Sequence, residues 1–137
     1  GIGEEMSDPV PAEGVFLVVK PEYSCPTGEA YLKYDESPLP VNGGLERFTA
    51  ALPGNYPQEM YNVFQRLYAD QRIEDICARL NGLGARGAML TGSGSAVFGV
   101  FDSETSSQRV SGEFPGCFTA VCGCVREGVS ITEREVL

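Results

Sequence analysis

The stretch Gly84-Ala-Arg-Gly-Ala-Met-Leu-Thr-Gly-Ser-Gly-Ser-Ala-Val-Phe-Gly-Val-Phe101 decides how this chain is read. Its middle, Thr91-Gly-Ser-Gly-Ser95, sets two glycines among three hydroxyls, between apolar runs at 88–90 and 96–101. Glycine enters positive φ freely and carries no Cβ, so such a turn can lay main-chain N–H groups against an anion or another loop. The flanking runs read as two strands. Gly92-x-Gly94 opens like a dinucleotide fingerprint, but Val97 stands at the third glycine position and β-branched and aromatic residues follow where a helix should begin. A P-loop needs Gly-Lys-Ser/Thr, and the only lysines are Lys20 and Lys33. The bland alternative is a strand–turn–strand connection whose glycines only satisfy turn geometry.

Working outward, the totals bound the answer. A chain of 137 residues suits one domain around one core. Nineteen acidic against ten basic side chains give a formal charge of −9, a field that repels nucleic acid and acidic membrane, so any phosphate site must be local. Neither a membrane span nor a signal-type run is present, which reads as a cytosolic protein. Five cysteines and no histidine argue against zinc; Cys122 and Cys124, two apart in an apolar run, are expected as buried thiols on one strand face. Cys25, in a Ser-Cys-Pro turn, has no histidine to activate it as a nucleophile.

In chain order, residues 15–20 form a continuous apolar run suited to a central strand covered on both faces. Thr27 is placed to cap a helix reaching about Asp35, with Glu29 in its first turn. Asn42 is expected to cap a second helix carrying Leu45, Phe48 and Leu52. A third is expected from Pro57, with Tyr61, Phe64, Leu67 and Tyr68 at helical spacing and Asn62 off that stripe as a solvated side chain. Asp70 caps a fourth, where Ile73, Ile76, Cys77 and Leu80 mark one buried face and Asn81-Gly82 closes it in left-handed geometry. Beyond the two strands come a weakly amphipathic helix within 102–112 and a last strand over 117–125, with Phe118, Ala120, Cys122 and Cys124 alternating against Thr119 and Val121. The tail, 126–137, reads as a surface segment. With the inserted helices treated as one layer, this order gives an α+β, ferredoxin-like split β-α-β sandwich with extra helices. Arg86 is the cation nearest the turn in sequence, and a surface arginine is preferred to a phosphate ligand there.

Over residues 84–99 the pattern Gly-Ala-x-Gly-Ala-x-x-Thr-Gly-Ser-Gly-Ser-Ala-Val-Phe-Gly resembles the third motif of the GHMP kinases, the galacto-, homoserine, mevalonate and phosphomevalonate kinase superfamily. Gly1-Ile-Gly-Glu4, Val19-Lys-Pro21 with Thr27-Gly-Glu-Ala-Tyr31, and Tyr61-Asn-Val-Phe64 follow the family's order. The likeness is greatest to the branch acting in non-mevalonate isoprenoid biosynthesis. It implies a C-terminal domain over 15–137 with the same ferredoxin-like fold, and a connector over 1–14 from a missing N-terminal domain. It also implies ATP-dependent, Mg²⁺-assisted phosphorylation of the 2-hydroxyl of a cytidine-diphosphate-linked methylerythritol held between the two domains.

By the same resemblance Thr27 binds substrate and Thr91, Gly92, Ser93, Gly94 and Ser95 form the glycine loop of the phosphate region. The family's nucleotide loop, reactive lysine and catalytic aspartate belong to the N-terminal domain. No residue here is therefore assigned as catalytic or as a metal ligand, and the chain alone is expected to be inactive. An exposed interdomain face, on the order of several hundred Å² of apolar surface, would favour self-association. The alternatives are another GHMP small-molecule kinase, of homoserine or mevalonate type, and a non-catalytic ferredoxin-like ligand-binding module.

Overall fold

The computed structural model describes residues 10–39 and 44–125. The first nine residues of the expected connector, the proposed Asn42 cap and the tail 126–137 lie outside the described residues. The elements run β1 (Val15–Lys20), α1 (Thr27–Glu36), α2 (Gly44–Ala51), a 3-10 turn (Tyr56–Gln58), α3 (Val63–Tyr68) and α4 (Gln71–Gly82). They continue with β2 (Gly87–Leu90), β3 (Val97–Phe101), α5 (Glu104–Ser111) and β4 (Phe118–Gly123). All pairings are antiparallel in the order β2-β3-β1-β4. With α4 across β2 and β3, and α5 against β1 and β4, this is the ferredoxin-like α+β arrangement expected from the sequence.

The pleat sends alternate residues to opposite faces. Leu17 and Val19 of β1, Val97 and Phe101 of β3 and Leu90 of β2 turn inward and meet Ile73, Cys77 and Leu80 of α4, Val110 of α5 and Phe114. Each such Leu, Ile, Val or Phe contributes about 1.5–3 kcal/mol through burial. Gly99 faces α4, and a Cβ there would stand 3.2 Å from Leu80 Cδ2, from Ala85 Cβ and from Phe101 Cε2. The helix lies that close because β3 has no side chain at this point.

The outer face departs from expectation. Phe16 and Val18 are half-buried rather than enclosed, and Phe118 is 66% exposed, so β1 is covered fully on one side only. The inserted helices do not form one layer. Phe48 of α2 stacks edge-on against Tyr56 of the 3-10 turn, and the Tyr56 hydroxyl donates to the Glu13 carbonyl just before β1 at 3.1 Å. Cys122 and Cys124, expected to be buried, are exposed: among the described residues no helix covers the Cys122 side of the edge strand β4, and Cys124 lies beyond its end.

Three helix ends also differ. The helix expected from Pro57 is a 3-10 turn, a break, and then α3 starting after Asn62. The left-handed glycine after α4 is Gly84, at φ 100°, rather than Gly82, which remains helical. Pro26, not Thr27, occupies the N-cap position of α1. Among the described residues no helix is long and apolar enough to cross a membrane.

Candidate functional site

The turn between β2 and β3 closes with Thr91 N–H on the Ala96 carbonyl at 2.9 Å and Gly94 N–H on the Thr91 carbonyl at 3.0 Å. Gly92 and Gly94 have φ of 56° and 91°, a region that disfavours side chains. A Cβ on Gly94 would also stand 3.0 Å from Leu90 Cδ1 and 3.2 Å from Cys25 Sγ, so only glycine lets the turn lie against the segment before α1. Ser95 is 3% exposed, and its hydroxyl donates to the Tyr23 carbonyl in the same segment. Thr91 and Gly92 are exposed while Ser93 and Gly94 are half-buried, so the tip reaches solvent from a fixed base.

Thr27, 66 positions earlier in the chain, meets this tip: its Oγ1 is 2.8 Å from Ser93 Oγ. The Pro26 carbonyl takes the Glu29 and Ala30 amides, and the Thr27 hydroxyl turns to Ser93 instead of capping its helix. The result is a corner of two hydroxyls beside the first turn of a ten-residue helix, whose leading N–H groups and dipole favour negative charge. Among the described residues no acceptor meets the Gly92 or Ser93 amide.

Asn62 is not a solvated side chain. Its Oδ1 accepts from the Phe64 and Gln65 amides at 2.9 and 3.2 Å, capping α3, while Nδ2 donates to the Leu90 and Gly92 carbonyls at 2.7 and 2.9 Å. Gln65 adds a bond from the Leu90 amide to its Oε1 at 2.8 Å. Read inside a helix from Pro57, Asn62 was not legible as a cap, and only the folded chain brings the edge of β2 within its reach. A hollow of about 630 Å³ opens alongside, lined by Tyr61, Asn62, Gln65, Arg66 and Glu74 among others and by neither Thr27 nor Ser93. Asn62 and Gln65 are already bonded there, and the guanidinium of Arg66 lies 5.9 Å over the Tyr61 ring.

Arg86 stays away from the turn. Its guanidinium bonds the Gly54 carbonyl and pairs with Asp102 at 3.4 Å, which agrees with the structural reading and leaves Asp102 at the far end of β3. Burial, then the nearby Asp70 carboxylate, pushes the Cys25 thiol up, so it stays protonated and weakly nucleophilic. Burial also raises the Cys77 thiol, to about 11. Among the described residues no group of three or more Cys, Asp or Glu is placed to hold a metal ion.

The family model described as GHMP kinases C terminal matches residues 45–119, more than half of the chain. The chain belongs to the GHMP kinase family. Among curated relatives, this GHMP kinase chain is 37% identical over 112 residues to the 4-diphosphocytidyl-2-C-methyl-D-erythritol kinase of Solidesulfovibrio magneticus, covering 74% of the chain and 38% of that protein. It is 31% identical over 116 residues to the kinase of the same name from Clostridium novyi, covering 80% of the chain and 41% of the relative. The chain thus spans about two fifths of the length of these relatives. A crystal structure of 4-(cytidine 5'-diphospho)-2C-methyl-D-erythritol kinase superposes with a TM-score of 0.64 at 22% identity, over 91% of this chain and 48% of that one. Homoserine kinase from Cytophaga hutchinsonii gives 0.65 at 18% identity, over 88% and 44%. At those identities the two superpositions establish the shared fold and do not separate substrates.

Proposed function

We propose that residues 15–137 act as the C-terminal domain of an ATP-dependent kinase, reached through a connector at 1–14 from an N-terminal domain. Its substrate is 4-diphosphocytidyl-2-C-methyl-D-erythritol, phosphorylated on the 2-hydroxyl, in the cytosol. The observation that carries the reading is the 2.8 Å contact between Thr27 and Ser93, which the family resemblance assigns, on two motifs far apart in sequence, to substrate binding and to the phosphate-region loop. Sequence identity of 37% to a kinase of that name favours this substrate over homoserine.

What these residues can do follows from their chemistry. One hydroxyl of the pair donates to the other, which leaves one O–H free for a ligand oxygen. The Gly92 and Ser93 amides, which no acceptor meets among the described residues, and the start of α1 add donors that suit a phosphate or a polarised alcohol. Proton abstraction and charge neutralisation are not built here. The chain has no histidine, the Cys25 thiol stays protonated, and Lys33 lies 4.9 Å over the Tyr68 ring. ATP supplies the phosphoryl group, and the residues that drive its transfer belong to the N-terminal domain, so this chain binds and orients.

The test is an assay with ATP, Mg²⁺ and either the cytidine-linked alcohol or homoserine, on residues 1–137 and on the kinase encoded by the full reading frame. The expected result is turnover of the cytidine-linked alcohol by the full protein only, with Thr27→Ala and Ser93→Ala each raising KM. Turnover by residues 1–137 alone, or homoserine as the better substrate, would overturn the proposal.

A further inference from the structure

β2 is an edge strand, and the Leu90 N–H and C=O have no neighbouring strand to pair with on that side. Asn62 and Gln65 of α3 take both groups, and Asn62 also reaches one residue round the turn to the Gly92 carbonyl. The Asn62 amide is thereby used to capacity, two donors toward the turn and two acceptor positions toward its own helix. The Gly92-Ser93 peptide is trans. In a planar trans peptide the carbonyl and the following N–H point in opposite directions. Holding the Gly92 oxygen against Asn62 therefore turns the Ser93 N–H away from α3, on the residue whose hydroxyl meets Thr27.

We infer that Asn62 is a positioning residue, seconded by Gln65, that aims the Ser93 amide at a phosphate-type oxyanion of the ligand. The inference rests on the kinase reading for the identity of the ligand. For the aim of the amide it rests only on these bonds. Asn62 touches no ligand and acts through one peptide plane, and α3 becomes the strut that sets the orientation of the turn.

The test uses Asn62→Ser in the 137-residue chain, since serine still caps a helix but is too short to reach Leu90 and Gly92 and brings no charge. Three readouts are taken: the thermal midpoint, amide hydrogen exchange at Phe64, Gln65 and Gly94, and amide shifts of Ser93 during titration with inorganic pyrophosphate. Expected are near wild-type exchange at Phe64 and Gln65 and about tenfold faster exchange at Gly94, the worth of roughly one hydrogen bond. Pyrophosphate affinity at Ser93 should fall about tenfold by the same measure. Gln65→Leu, which leaves the cap intact, should loosen Gly94 less than Asn62→Ser.

Unchanged Gly94 exchange in Asn62→Ser would overturn the tie. Faster exchange with unchanged pyrophosphate affinity would overturn the aiming role. If wild-type Ser93 ignored pyrophosphate while Gly94 loosened in the variant, the phosphate reading of the turn would fall and Asn62 would be a structural tie only. Should Asn62→Ser fail to fold, Asn62→Asp supplies the same exchange readout, because aspartate keeps the cap and loses both donors to the turn.

Discussion

At the scale of single residues, the turn depends on two glycines for different reasons. Gly92, at φ 56°, would place a Cβ in open space with nothing within 4 Å; Gly94, at φ 91°, would drive one against Leu90 and Cys25. Gly92→Ala should therefore cost only the left-handed penalty of about 1–2 kcal/mol. Gly94→Ala adds a steric term and should cost distinctly more, because Leu90 is wholly buried and cannot withdraw without disturbing the core. Urea denaturation of both variants measures the difference, and Gly92→Ala proving the costlier would show that the Cys25 segment gives way more easily than this packing implies.

At the scale of elements, α4 was readable because the sequence states both its face and its start. Ile73, Cys77 and Leu80 recur at helical spacing and are buried, and Asp70 accepts the Arg72 amide at 2.9 Å as the expected cap. The start of α1 was not readable in the same way. A threonine before an acidic first turn reads as a cap, but the Pro26 carbonyl serves the first amides and the hydroxyl is claimed by Ser93 from across the fold. The break before α3 was hidden for a similar reason. Tyr61 fits the helical stripe, yet Asn62 adopts extended backbone at φ −128° because its side chain bridges α3 and β2. Local periodicity records what a segment prefers, and it carries no trace of a partner arriving from 28 residues away in sequence.

The Asp70 cap also supplies a prediction with a sign. A hydrogen bond from Arg72, backed by its 2.6 Å ion pair, holds the Asp70 carboxyl below the usual carboxylate range. A depressed folded pKa gives stability that is fully present above the unfolded carboxylate value, about 3.9, and is lost as pH falls through the folded value. Asp70→Ala should cost about 1 kcal/mol at pH 7. Asp70→Asn keeps the cap and loses the ion pair, so its deficit should be smaller and should close as the pH is brought below the carboxylate range. Thermal unfolding at pH 7 and pH 3 checks both, and a deficit for Asp70→Asn that widened in acid would mean the ion pair is not the source of the shift.

At the scale of the whole molecule, the site stands at one end of a hairpin whose other determinants lie in the α4–sheet interface. The order β2-β3-β1-β4 could not be read from periodicity alone, because alternation marks faces and not neighbours; the glycine-motif resemblance implied the fold, and the register then follows from Leu17 lying opposite both Gly99 and Val121. The pivotal contact is Gly99 beneath Leu80. Gly99→Ala forces a methyl to within 3.2 Å of three neighbours and should cost about 1–3 kcal/mol by overpacking. Leu80→Ala empties a fully buried position and should cost about 2–5 kcal/mol. Together they should cost less than their sum by about 0.5–3 kcal/mol, since the space vacated by Leu80 admits the new methyl. Strict additivity in urea denaturation would instead place the strain of Gly99→Ala on Ala85 and Phe101. Because α1 and α3 reach the turn through side-chain bonds rather than through this interface, the Leu80→Ala variant should still show the Gly94 amide protected relative to Asn62→Ser, once both are compared under conditions where each remains folded.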